Sequence, residues 1–207
     1  MTYVKICGIT TKEMLEAARD ADAVGFVVDS PDSHRNLTLE DAAELARRTG
    51  PFHASVAVTA ERDINELIKI VEQVRPQALQ VPFRAGQNAF SVLRRIYPTL
   101  QIIVACRPED AHLVPDEADA LVLDAATKDG YGGTGELTDW NRARTVREMT
   151  DLPVILAGGL TPENVADSVA AVSPYGVDVS SGVETDLEKD PSKIAAFIAN
   201  AKKVPRG

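Results

Sequence analysis

The sequence predicts a closed (β/α)8 barrel folded as one compact α/β domain over residues 1–207, and three observations carry that prediction. Apolar runs and segments of helical period alternate eight times from end to end, with little chain left over. Several of the runs, such as Val24-Gly25-Phe26-Val27-Val28 and Val154-Ile155-Leu156-Ala157, are continuous, as strands covered on both faces are. No Pro/Ser-rich linker or shift of composition divides the chain, and 207 residues suffice for this fold only if the loops are short. A doubly wound open sheet is the competing arrangement of the same alternation.

The elements follow in order. The first strand is expected over 3–6, and a helix over 11–20 opens at Thr10 with Glu13 in capping-box spacing. A strand at 23–28 precedes a helix at 39–48. The strand at 53–58 leads to a helix at 64–74, where Ile64, Leu67, Ile68 and Val71 recur on one face behind the cap Asp63. Strand 78–81, helix 88–96 and strand 101–105 come next; the helical signal at 109–114 is poorly patterned and amounts to a turn or two. Strand 119–123 and helix 139–149 follow. The last two units are strands at 153–157 and 177–180 with helices at 162–172 and 191–203. Thr161-Pro162 and Asp190-Pro191 each set a capping oxygen before a first-turn proline.

Net charge is −9, with acidic residues spread along the chain, so the surface repels a nucleic-acid backbone and an anionic ligand must be held by local donors. Met1 to Lys5 runs directly into a strand with no leader-like pattern, and no apolar run reaches the roughly 18–20 residues of a membrane span. A cytoplasmic protein without a membrane partner is expected. Its two cysteines, 99 positions apart, form no disulfide framework. His34, His53 and His112 have no metal-binding spacing, and neither a Gly-x-Gly-x-x-Gly after the first strand nor a P-loop is present. No metal and no organic cofactor is expected.

Two segments suit an anion. Ala157-Gly158-Gly159-Leu160-Thr161 ends a strand with paired glycines and opens a helix; Ser180-Ser181-Gly182 follows the eighth strand. Each alone reads as a plain tight turn, but the loops after strands seven and eight are a frequent phosphate site in such barrels. A phosphorylated small molecule is the expected ligand.

Cys7 and Asp124 each close a strand. By residue type Cys7 is a small core filler and Asp124 a loop or cap carboxylate. In an eight-membered ring, however, strands one and six flank seven and eight, so the two side chains would face a phosphate-tethered substrate from opposite sides. That suits proton removal by one and donation by the other, with burial raising the Asp124 carboxyl toward the range of a general acid. Lys5 shares the Cys7 face and is expected to favour the thiolate. Residues 128–136 hold four glycines and read as a lid, or else a surface loop without function.

Lys5-Ile6-Cys7-Gly8-Ile9-Thr10, Gly132-Gly133-Thr134-Gly135, Trp140, Ala157-Gly158-Gly159-Leu160 and Asp178-Val179-Ser180-Ser181-Gly182-Val183-Glu184 together resemble the phosphoribosylanthranilate isomerases, in order and over nearly the whole chain. The resemblance implies a (β/α)8 barrel of tryptophan biosynthesis. Such an enzyme converts N-(5-phosphoribosyl)anthranilate into 1-(2-carboxyphenylamino)-1-deoxyribulose 5-phosphate by an acid–base Amadori rearrangement without cofactor. It implies Cys7 as general base and Asp124 as general acid. Arg35 is implied as the ligand of the anthranilate carboxylate, a planar anion that a guanidinium fork fits. Lys5, Gly133, Gly158, Gly159, Ser180, Ser181 and Gly182 complete the expected substrate contacts.

Strand four departs from the family, with Leu79-Gln80-Val81-Pro82-Phe83 where a Val-Gln-Leu-His-Gly-like stretch is usual; only Gln80 aligns, and it brings no role with it. Cys106 reads as packing and Arg107 as a possible mouth residue. A monomer or homodimer acting on a small phosphorylated molecule is expected. Another phosphosugar barrel, of the indole-glycerol-phosphate synthase or histidine-pathway isomerase type, and a noncatalytic phosphometabolite binder are the alternatives.

Overall fold

The structure, a computed structural model, describes residues 1–85, 88–125 and 137–204. Eight strands form a ring: β1 (Tyr3–Cys7), β2 (Ala23–Val28), β3 (Ala54–Val58), β4 (Ala78–Pro82), β5 (Gln101–Cys106), β6 (Ala120–Leu123), β7 (Val154–Leu156) and β8 (Gly176–Val179). All neighbouring pairs are parallel, and β1 pairs with both β2 and β8. That last pairing closes the barrel and removes the open-sheet alternative.

Seven α-helices cover the ring among the described residues: α1 (Lys12–Ala17), α2 (Leu39–Arg48), α3 (Ile64–Val74), α4 (Ala89–Ile96), α5 (Trp140–Met149), α6 (Val165–Val172) and α7 (Pro191–Lys203). Between β5 and β6 the chain makes a 3-10 segment, Pro108–Leu113, in place of the weak fifth helix. Unlike α1, which Thr11 caps, this segment has no side-chain cap and no apolar period to hold an α-helix, and it tightens into the 3-10 form.

Two helix starts differ from the sequence reading. The α1 cap is Thr11, whose Oγ1 accepts from Met14 N at 3.2 Å, whereas the Thr10 hydroxyl reaches the Met14 sulfur. The α6 helix begins three residues after Pro162, because the chain first turns on itself. Asn164 Oδ1 accepts from Thr161 N at 2.8 Å, and Asn164 Nδ2 donates to Gly159 O at 2.9 Å. The turn therefore anchors the glycine pair of the preceding loop. Asp63 and Asp190 cap α3 and α7 as expected.

Strand alternation divides the apolar residues into two cores. Outward residues such as Ile6, Phe26, Leu79 and Leu121 pack with Leu67 of α3 and Phe197 of α7, all fully buried. Each such side chain contributes about 1.5–3 kcal/mol of burial free energy. Inward residues are smaller: Val56, Ala78, Ile103, Ala120, Val122 and Ala157 fill the narrow lumen. Toward the carboxyl ends of the strands this lining gives way to polar side chains, and there a cavity opens.

Candidate active site

A cavity of about 570 Å³ occupies the carboxyl-terminal mouth of the barrel. Cys7 at the end of β1 and Asp124 just past β6 both line it. Between them lie Gly158 and Gly159 after β7, and Ser180, Ser181 and Gly182 after β8. The ring order that sequence alone suggested is the one the barrel adopts.

Local packing explains these loops. Gly158 has φ +83°, and a Cβ there would stand 2.3 Å from Thr138 Oγ1. Thr138 in turn accepts from Ala125 N at 2.8 Å, which joins the end of β6 to the loop after β7. Gly182 abuts the same loop from the other side: a Cβ there would lie 1.8 Å from Leu160 O. The two glycine turns thus touch backbone to backbone, which no larger residue permits.

Lys5 does not line the cavity. Its Nζ lies beneath the mouth, 2.8 Å from Asp178 Oδ2, with both side chains buried. Burial works against the ammonium, but Asp178 and Cys7 outweigh it and hold Lys5 above the usual lysine range. The expected thiolate does not follow. Burial pushes the Cys7 thiol above its ordinary value by more than Lys5 pulls it down, and Asp178 adds to the rise. Lys5 does favour the thiolate, through its charge and a hydrogen bond, but the loss of hydration around a buried thiol is the larger effect.

Arg35 lines the cavity, but its guanidinium is already engaged. Nε and Nη2 donate to the two oxygens of Glu184, each at 2.7 Å. Lys189 lies behind this pair and donates to Glu184, to Ser180 O at 2.9 Å and to Ser180 Oγ at 3.3 Å. Ser180 Oγ itself donates to Cys7 O at 3.2 Å. A continuous polar chain therefore runs from the guanidinium through the loop after β8 to the backbone of Cys7. Burial would raise the Glu184 carboxyl, but hydrogen bonds from Arg35 and Lys189 prevail and hold it below the ordinary glutamate value.

Gly133 and the 128–136 lid fall outside the described residues. Arg107 is not part of the cavity lining; it pairs at 3.8 Å with Glu109. Cys106 packs in the outer core with its thiol pushed up to about 12 by burial, and both cysteines are free. Sequence reasoning gave no role to Glu184, Lys189, Asp178 or Gln80. Glu184 and Asp178 frame the serine-glycine segment and were visible there; Lys189 carried no local signal at all. Gly25 was also missed: Cys7 Sγ sits 2.9 Å from where its Cβ would be, so β2 must leave room for the thiol. Among the described residues no group of three or more His, Cys, Asp or Glu could hold a metal ion. No helix among them is long and apolar enough to cross a membrane.

A closed parallel ring whose mouth carries a thiol, a carboxylate and two touching glycine turns belongs to the (β/α)8-barrel enzymes. The family model for N-(5'-phosphoribosyl)anthranilate isomerase matches residues 4–200. The curated isomerase of that name from Natronomonas pharaonis is 42% identical over 202 residues, covering 96% of this chain and 97% of its own. The structure of the Pyrococcus furiosus isomerase superposes with a TM-score of 0.83 at 33% identity, covering 99% of this chain and all of the other. A further isomerase structure, in complex with reduced 1-(o-carboxyphenylamino)-1-deoxyribulose 5-phosphate, gives 0.78 at 31% identity over 99% of this chain and 100% of its own.

The chain belongs to the phosphoribosylanthranilate isomerase family. It is an isomerase of tryptophan biosynthesis acting on a small phosphorylated substrate, and the other phosphosugar-barrel types and the pure binder give way.

Proposed function

We propose that the isomerisation takes place in the cavity at the barrel mouth, with Cys7 as general base and Asp124 as general acid. Asp124 protonates the ribose ring oxygen as the anilino nitrogen drives ring opening to a Schiff base. Cys7 as thiolate then removes the proton from C2′, giving an enolamine that tautomerises to the ketone. Backbone N–H groups of the Gly158–Gly159 and Ser181–Gly182 turns hold the phosphate between the two. Arg35, through the guanidinium edge that Glu184 leaves open, takes the anthranilate carboxylate. An aryl carboxylate and a phosphate also terminate the compound named with the related complex.

One observation carries this reading: Cys7 and Asp124 line a single cavity, with both glycine turns between them. Cys7→Ala and Asp124→Asn test it, each lowering turnover by about 10²–10⁴ while binding of inorganic phosphate persists. Turnover near wild type in either variant would overturn the assignment. We read the enzyme as cytoplasmic and as a monomer or homodimer, a choice that light scattering after size exclusion decides.

A further inference from the structure

Two polar side chains low in the cavity are not explained by the acid, the base or the anion contacts. Asp178 is 7% exposed; its Oδ2 is held by Lys5, while its Oδ1 is buried with no hydrogen-bond partner among the described residues. Gln80 is 8% exposed, and its Oε1 is equally buried and unpartnered. Both residues line the cavity. They stand on β4 and β8, which lie across the eight-membered ring from one another, so the two oxygens approach from facing walls.

Folding alone gives no reason for either atom. The backbones of β4 and β8 complete their own ladders, and an aliphatic side chain at position 80 would fill the lumen without stranding an acceptor. A buried acceptor left unmet is costly and rare in native interiors, and a ligand that satisfies it explains its presence.

We propose that Gln80 and Asp178 form a subsite for the hydroxyl groups of the substrate's ribosyl chain, with Asp178 Oδ1 accepting from the hydroxyl on the carbon that Cys7 deprotonates. This deepens the proposed function and rests on its assignment of Cys7. A carboxylate oxygen takes only a donor, and it repels the phosphate and the aryl carboxylate. The sugar hydroxyls and the anilino N–H are the donors that remain. Proximity selects among them: Lys5, two residues before Cys7 on β1, is the direct strand partner of Asp178 on β8. Adjacent strands are about 4.8 Å apart and Cys7 lies on the same face of β1 about 6.6 Å further toward the mouth, so a hydroxyl on Oδ1 sets its own carbon on the side that the thiol faces. Lys5 then acts through Asp178, holding Oδ2 so that the other oxygen is left for the ligand.

The test compares two competitive inhibitors: ribitol 5-phosphate, an open chain with a hydroxyl at C2 and at its other free carbons, and inorganic phosphate, which has no sugar. Gln80→Met should raise the inhibition constant of ribitol 5-phosphate about tenfold, as expected for one lost hydrogen bond, and leave that of phosphate within about twofold. It should also raise the urea midpoint, because the orphaned oxygen is gone. Asp178→Asn should give the same selective loss and move the pH dependence of Cys7 alkylation downward, since the Asp178 charge holds that thiol up. If stranding Lys5 prevents Asp178→Asn from folding, the Gln80→Met comparison decides the matter. Unchanged affinity for both inhibitors, or an equal loss of both, overturns the subsite. Failure of the base assignment shows up separately, as turnover retained by Cys7→Ala.

Discussion

Gly182→Ala isolates the contact between the two glycine turns. An added Cβ would stand 1.8 Å from Leu160 O, and 2.9 Å from the carbon that carries it. Tolerable Cβ contacts begin near 3.0 Å, so the loops after β7 and β8 must part by about 1.2 Å or more. Neither side is a flexible side-chain tip; both are backbone. Overpacking of this kind costs about 1–3 kcal/mol even where side chains can adjust, and here the upper end applies. The displacement also falls on the groups proposed to hold the phosphate, where a shift of about 1 Å can cost on the order of 10²-fold in turnover. Urea unfolding with KM and inorganic-phosphate inhibition measures both effects. Gly50→Ala is the control, because a Cβ at Gly50 meets nothing within 4 Å. Equal stability and equal phosphate affinity for Gly182→Ala and Gly50→Ala would refute the argument that the turns pack backbone to backbone.

Further outcomes follow from the titrating groups. Because burial lifts the Cys7 thiol above its ordinary value of 9.0, thiolate is scarce at neutral pH, and kcat/KM should still be rising with pH as the solution becomes alkaline; a plateau already reached in the acid range would contradict this. Alkylation by iodoacetamide should abolish activity through Cys7, more slowly when phosphate is bound, while Cys106, its thiol near 12 and fully buried, reacts only on unfolding; mass mapping of the labelled sites reads the difference. Glu184→Gln leaves Arg35 and Lys189 facing a neutral amide and should cost about 2–3 kcal/mol in urea unfolding, with a raised KM as Arg35 loses its anchor. The folded pKa of Glu184 lies below the ordinary 4.5, so its contribution is fully present above that value and disappears as pH falls through the folded one. Wild type and Glu184→Gln should therefore converge in stability in acid, and a gap that stays constant down to pH 2 would deny the ion-pair role.

Local rules accounted for most of the barrel. Continuous apolar runs marked the strands because both faces are covered, and Asp63 and Asp190 marked helix starts because a capping oxygen acts within three residues. Misreadings came where two local solutions compete. Thr10 and Thr11 are both able to cap, and the backbone sets Thr11 in the extended conformation that a cap needs. Thr161 and Asn164 close a turn ahead of α6, which a proline two positions earlier does not reveal.

The elements of the candidate site divide along the same line. Cys7, Asp124 and the glycine turns were legible because each ends a strand, and the ring order then fixes which of them meet. What Lys5, Arg35, Gln80 and Asp178 do depends on partners remote in sequence: Lys5 finds Asp178 across 173 positions and Arg35 finds Glu184 across 149. A short-range pattern gives the identity of a charge but not its surroundings: Lys5 does pull the Cys7 thiol down, but it is also the counter-ion of Asp178, and burial outweighs its pull. By itself the chain determined its strands, its barrel and the residues at the strand ends, since period, capping and turn chemistry act over a few residues. Closure of the ring alone decided which charges pair, which thiol loses its water and which acceptors are left open, because burial and pairing exist only once distant strands stand side by side.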